Sequence, residues 1–347
     1  MGIHCLFPFL KHYHKRINLT DFSGKIAAID ASCWIHKALV LSISQTGNRS
    51  RLADIFEKHL SVVRRAGVTP YIVFDGLPLP AKASEVEKRQ RGREECLLKS
   101  EREGITPQEA NKLRSQAVSI SFNDISTCVN ICLKEKVSYV VSPYESDAQM
   151  AFLLETNVAD FAITEDSDLL AYGCKEVIVK LCLSGEGCYL SLTNILEGLK
   201  LNFEQFQSLC ILAGCDYLKN VRGVGIHTAY KLICSKDDLF HTLEKRGAPA
   251  DYKECFANAM SVFLHQTVFD VNAGKAVPLR KWESAAPAVS LTLDLRLLTD
   301  EFSQELAVGN IHTTTRMKVN SHSLHANDKQ VRDDTLHSQQ EASATTN

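Results

Sequence analysis

The chain has no CxxC pair among its 12 cysteines, no apolar run near the roughly 18 residues of a membrane span, and a net charge of only -2 over 347 residues. The missing CxxC spacing, with no His doublet nearby, excludes the usual zinc ribbons and fingers; Cys128 and Cys132 lie one helical turn apart with no second pair to complete a site. Scattered thiols suit a reducing compartment. The missing apolar run leaves no membrane partner to expect. Met1 to Leu6 lacks the basic stretch and apolar core of a secretory signal, and it offers no Ser or Thr where a myristoylation motif needs one. Near-neutral charge removes any global attraction to polyanions, so binding of that kind must come from local patches. What remains, 45% hydrophobic and 23% charged, is an ordinary globular composition with enough chain for one large core or two smaller ones.

Charge is segregated along the chain. Between Val137 and Cys174 there are seven acids and no Lys or Arg, whereas Ala81 to Arg93 holds five basic residues against two acids. Apolar runs at Lys25–Asp30, Val68–Asp75, Val137–Ser142 and Asp160–Thr164 read as buried strands, with Glu176–Leu181 as a further one. Helix-length segments, including Asp54–Ala66, Glu85–Leu98 and Asn123–Lys136, separate them, and this alternation predicts an α/β fold with a parallel sheet. After Leu192 the pattern turns helical, at Phe203–Ala213, Ile226–Cys234 and Asp251–Gln266. From Gly309 the sequence is poor in large apolar residues and reads as a disordered tail, so that removing Ile311–Asn347 is expected to cost little stability.

The strands end in acids. Asp30 closes the first and Asp75 the second; Glu145 and Asp147 follow the third, and Glu165, Asp166 and Asp168 the fourth. In a parallel sheet all carboxyl ends share one edge, where ligands bind. A lone acid after a strand is ordinarily a cap or turn residue; four consecutive strands ending in acids is hard to explain by capping. Asp216, in Gly214-Cys215-Asp216-Tyr217, is a further candidate. Clustered carboxylates repel unless cations compensate them. Oxygen ligands without histidine point to Mg²⁺, with Mn²⁺ able to substitute, and a pair of such ions is the recurring apparatus of phosphodiester hydrolysis.

Seven of these carboxylates with two divalent ions leave about three negative charges, so a phosphate needs further cations nearby. Lys82, Arg89 and Arg93 recur at the spacing of one helix face. Past Glu103, Thr106-Pro107-Gln108-Glu109 reads as a fresh helix start after a Gly104 joint. Arg222-Gly223-Val224-Gly225 precedes a helix, a place where backbone N–H groups approach a phosphate.

These blocks, together with Met1-Gly2-Ile3, Asp30-Ala31-Ser32-Cys33-Trp34-Ile35-His36-Lys37, Pro143-Tyr144-Glu145-Ser146-Asp147-Ala148-Gln149 and Thr164-Glu165-Asp166-Ser167-Asp168, resemble the flap endonuclease/XPG superfamily of structure-specific 5′ nucleases. The Cys-Trp-x-His-Lys run and Tyr172-Gly173-Cys174 resemble its exonuclease branch most. The resemblance covers residues 1 to about 310, in six ordered motifs. It implies a PIN-like parallel sheet flanked by helices (1–192) with a basic helical arch at about 80–122, a helical helix-two-turn-helix region (193–308) and a tail (309–347). It implies two Mg²⁺ ions on Asp30, Asp75, Glu145, Asp147, Asp166, Asp168 and Asp216, and scissile-phosphate contacts from Lys82 and Arg89. DNA contacts are implied for Gly2, His36, Arg93, Arg222, Gly223 and Gly225, with K⁺ in the helix-two-turn-helix. The implied activity is 5′→3′ exonuclease action in the nucleus on duplex DNA with 5′ ends, nicks, gaps or flaps, with some flap cutting, in DNA repair. A flap endonuclease proper, a DNA-binding homologue with impaired catalysis, and an RNA-directed nuclease are the alternatives. The chain departs from the family's pattern at several positions. Cys5 stands for a glycine, Gln90 and Gly92 stand for basic residues, and Ala213 and Asn220 stand for serines, which bears on K⁺. The resemblance also implies a long C-terminal region that recruits mismatch-repair partners, which is not expected among these residues, and no clamp-binding box occurs in the tail.

Overall fold

Short runs rich in β-branched residues, buried on both faces, build the centre of the molecule. The computed structural model describes residues 2–235, 237–281 and 298–319. Its main sheet comprises β1 (Lys15–Asn18), β2 (Ile26–Asp30), β3 (Thr69–Phe74), β4 (Ser138–Val141), β5 (Phe161–Ile163), β6 (Glu176–Val179) and β7 (Glu186–Ser191). The spatial order is β1-β7-β6-β5-β2-β3-β4. Strands β2 to β6 are parallel, with Asp30 opposite Val73 and Ile29 opposite Ile163, while β7 runs antiparallel to both its neighbours.

Side chains alternate across this sheet as the pleat requires. Ala27, Ile29, Ile72, Phe74, Phe161 and Ile163 face one core; Ala28, Val73, Ala162, Val177 and Val179 face the other. Four helices come first in the chain: α1 (Leu6–Phe9), α2 (Ala31–Thr46), α3 (Leu52–Arg65) and α4 (Ala83–Ser100). They are followed by α5 (Pro107–Gln116), α6 (Phe122–Lys134), α7 (Ser146–Glu155) and α8 (Asp168–Tyr172). α2, α3 and α6 cover the first face. The second is covered by α7 and α8 together with the later helices α9 (Leu192–Leu199), α10 (Phe203–Ala213), α11 (Ile226–Cys234), α12 (Leu239–Lys245) and α13 (Tyr252–His265). The C-terminal helices thus continue the core of the sheet.

The five expected strands and the expected helices are present, and α10 and α11 keep the ends read from sequence. The edge strand β1 and its neighbour β7 lie outside the expected strands, because β1 is nearly all exposed and β7 mostly half-exposed, and both carry little apolar patterning. A hairpin of β8 (Thr267–Asp270) and β9 (Lys275–Pro278) also interrupts the region expected to be helical. The disordered tail expected from Gly309 is corrected over its first residues. After α14 (Asp300–Ala307), Ile311 is buried and bridges Lys318, and His312 stacks on Phe122 with ring centroids 4.2 Å apart. One buried isoleucine and one aromatic pair hold this segment, too few apolar residues to stand out in composition. Residues 320–347 lie outside the described residues.

Candidate metal centre and its cationic arch

Each acid is delivered by the element before it. Asp30, at the end of β2, caps α2 by accepting from Cys33 N at 3.1 Å and also accepts from Thr164 Oγ1 at 2.9 Å. Asp75, just past β3, accepts from Ser32 Oγ at 2.5 Å and from Ser146 N at 2.8 Å. Gly76 follows because a Cβ there would lie 1.8 Å from Ser142 O, so only glycine lets the ends of β3 and β4 close together. Glu145 precedes α7 and Asp147 sits in its first turn; Asp168 opens α8, and Asp166 Oδ1 accepts from Asp168 N at 3.2 Å.

Asp147 Oδ1 and both carboxylate oxygens of Asp168 are buried with no hydrogen-bond partner among the described residues. Burial, then the neighbouring Asp166, pushes both carboxyls well above the usual carboxylate range. Burial and Asp75 raise Asp30 to about 6, and burial raises Asp166 as well. Uncompensated buried anions are costly. Among the described residues no three His, Cys, Asp or Glu side chains are already closed into a ligand shell. The carboxylates are instead spread among separate partners, Asp75 on Ser32, Asp30 on Thr164, and Glu145 and Asp216 on Lys82. Orphaned buried oxygens in an all-oxygen donor set fit hard divalent cations such as Mg²⁺.

The cations come from above. Lys82 pairs with Glu145 and, at 2.8 Å, with Asp216. Burial works against its ammonium, but Glu145 and Asp216 prevail and raise its pKa. Arg89, two turns along α4, reaches both oxygens of Asp216 at 2.8 and 3.0 Å. Burial opposes ionisation of Asp216, yet Lys82 and Arg89 hold its carboxyl below the ordinary value. Burial, then the charge of Arg93 on α4, lowers the pKa of His36 on α2. α4 ends near Gly104, which has φ 81°, and α5 starts on a Thr106–Glu109 capping box with Pro107 in its first turn, as read from sequence.

The N-terminus forms a wall of the site. A Cβ on Gly2 would lie 2.0 Å from Asp166 Oδ1 and 2.6 Å from Asp168 Oδ1, and Ile3 N donates to Ser167 Oγ at 2.9 Å. Arg222 and Gly223 are exposed on the turn before α11, Gly223 at φ 80° and Gly225 as the helix N-cap. Asn220 Nδ2 donates to Val224 O at 2.9 Å in that turn. Glu165, the remaining acid after β5 and outside the expected ligand set, takes Lys37 at 2.5 Å and accepts from Lys180 N at 3.0 Å. Sequence reading missed Tyr217, whose hydroxyl donates to Glu145 Oε2 at 2.5 Å. Its place next to Asp216 was the available signal.

Fold and site together define a class: a PIN-like parallel sheet with an acidic cluster at its carboxyl edge and a cationic helix across it. The XPG N-terminal domain matches residues 1–96 and the XPG I-region matches residues 136–216. Exonuclease 1 of Danio rerio is 34% identical over 343 residues, spanning 92% of this chain and 42% of the relative. Exonuclease 1 of Arabidopsis thaliana is 36% identical, spanning 80% of this chain and 40% of the relative. The catalytic core of Rad2 in complex with DNA substrate shares the fold, with TM-score 0.61 at 20% identity over 76% of this chain and 86% of that one. The chain belongs to the XPG/flap endonuclease superfamily. It spans less than half the length of these two exonuclease 1 relatives.

Proposed function

We propose that the chain is a Mg²⁺-dependent structure-specific DNA nuclease that removes nucleotides 5′→3′ from duplex ends, with flap cutting as a lesser activity. The observation that carries this reading is the trio of orphaned, buried oxygens on Asp147 and Asp168, ringed by Asp30, Asp75, Glu145, Asp166 and Asp216. Asp30, Asp75, Glu145, Asp147, Asp166, Asp168 and Asp216 would hold two divalent ions, which would supply a more acidic water as nucleophile and positive charge for the leaving oxygen. The chain's own residues do the rest. Lys82 and Arg89, anchored at the cluster, face the charge that develops on the scissile phosphate. Gly2 leaves room for the substrate against Asp166 and Asp168. His36 and Arg93 stand where the terminal nucleotide meets α2 and α4.

In this reading residues 1–192 are the nuclease core, with the arch at about 80–122, and 193–308 grip the duplex through Arg222, Gly223 and Gly225. The substrates are duplexes with 5′ ends, nicks, gaps or flaps, met in the nucleus during DNA repair; the exonuclease preference rests on the similarity to exonuclease 1. All seven carboxylates are present and within one site, which disfavours a catalytically impaired homologue. The test compares initial rates on a labelled recessed 5′ end and a matched 5′ flap, with Mg²⁺ and with chelator. Mg²⁺-dependent release that is faster from the recessed end is expected. A flap rate about tenfold higher overturns the exonuclease assignment, and equal cleavage with chelator overturns the metal mechanism.

A further inference from the structure

Glu145 is held from behind by a chain of buried polar groups that runs to the far side of the C-terminal core. Tyr217 O–H donates to Glu145 Oε2 at 2.5 Å, the Tyr172 and Tyr217 hydroxyls are 2.8 Å apart, and Tyr172 Oη is 2.6 Å from the Gln266 amide. Tyr172 and Gln266 are fully buried. Both tyrosine rings pack edge-on against Phe263, with centroids 4.9 and 5.2 Å away. Gln266 is fixed by its own backbone, its N–H reaching Val262 O at 3.2 Å and its carbonyl taking Leu279 N at 2.9 Å.

Counting protons assigns a direction to the chain. Three contacts link Glu145, Tyr217, Tyr172 and Gln266, but the two tyrosines have only two hydroxyl hydrogens. With the amide oxygen of Gln266 facing Tyr172, one contact has no proton, and Gln266 Nε2 is left buried without a partner among the described residues. Exchanging the two nearly isosteric ends of the amide supplies the missing proton and leaves the carbonyl oxygen unpaired in place of the N–H donor, the less costly group to strand. Nε2–H then donates to Tyr172, Tyr172 to Tyr217, and Tyr217 to the carboxylate. The other oxygen of Glu145 carries Lys82, so each carboxylate oxygen receives a donor.

We propose that Gln266, Tyr172 and Tyr217 are positioning residues that act in series to aim Glu145 at the divalent-ion site. The proposal rests on the two-metal reading above. Partners behind a ligand fix its orientation, and their loss characteristically lowers metal affinity by about 10–100-fold. Thr164, behind Asp30, has the same relation to a ligand but stays local, accepting in turn from Asp166 N at 3.0 Å, whereas this chain crosses from α8 to the end of α13.

The experiment titrates Mn²⁺ into the whole, DNA-free protein by calorimetry, for the unsubstituted chain, Tyr217→Phe, Tyr172→Phe and the double variant. Mn²⁺ binding by the unsubstituted protein tests the metal site itself; only differences among the variants test the chain. Tyr217→Phe is expected to weaken Mn²⁺ by about 10-fold or more, and Tyr172→Phe by less. The double variant should match Tyr217→Phe, because removing the inner link makes the outer one silent. Saturating Mg²⁺ should restore the single-turnover rate of each variant. Unchanged Mn²⁺ affinity in Tyr217→Phe, or losses that simply add in the double variant, overturns the proposal. If Tyr217→Phe does not fold, Gln266→Met takes its place beside Tyr172→Phe. A loss in each that does not add in the pair supports the chain, and wild-type affinity in both overturns it.

Discussion

At Cys5 the backbone takes φ 59° and ψ 17°, a left-handed conformation that costs a residue with a Cβ about 1–2 kcal/mol. Its side chain is exposed and packs against nothing in the core, so Cys5→Gly should stabilise the protein by about 1 kcal/mol in urea unfolding, and equal midpoints would refute that account. Asp168 shows the opposite balance. Two buried carboxylate oxygens without partners among the described residues are a liability in the metal-free protein and, in the proposed two-metal reading, ligands in the loaded one. Asp168→Asn should therefore abolish cleavage, leave DNA binding largely intact and raise the melting temperature in chelator. Near-normal turnover in this variant would sink the two-metal reading. That Asp168 belongs to the site was legible from its place after β5; its lack of any partner was not, since that depends on what α8 and its neighbours leave uncovered.

The elements follow the same division. The parallel strands and the helices between them were legible because each is an apolar run long enough to show its period. The β1–β7 edge was not, because Lys15–Asn18 is nearly all exposed and gains its strand form from pairing with Glu186–Tyr189. Likewise the helical spacing of Lys82 and Arg89 was visible, but their shared target, Asp216, lies 127 residues beyond Arg89 and only the fold brings it there. Each of Lys82→Ala and Arg89→Ala should cost about 10²-fold or more in single-turnover rate if these side chains face the developing charge. A loss confined to affinity, with the saturated rate intact, would reduce them to backbone contacts.

For the molecule as a whole, the acid cluster sets how stability depends on pH. Asp30, held near 6 when folded, has an unfolded value of about 3.9, so the native state binds the proton more tightly. Its stabilisation is complete at low pH and is lost as pH rises through 6; Asp147 and Asp168 shift the same way. In chelator the melting temperature should rise between about pH 7.5 and about pH 5.5, and Mg²⁺ should raise it at the higher pH. A flat profile with no Mg²⁺ response would contradict the compensation argument. Truncation tests the other end. Because Ile311 is buried and His312 stacks on Phe122, deleting Ile311–Asn347 should lower the melting temperature by several degrees, contrary to the reading from composition.

One carboxylate, Asp216, receives both Lys82 and Arg89 and also belongs to the proposed ion site. Ions and α4 thus compete for one anchor, and a free energy of coupling between them works equally in both directions. DNA that lifts the two cations toward its phosphate frees Asp216 and tightens ion binding; ions that arrive first loosen the foot of α4. Metal affinity measured with and without DNA, and DNA affinity measured with and without metal, should therefore be two readings of a single coupling free energy.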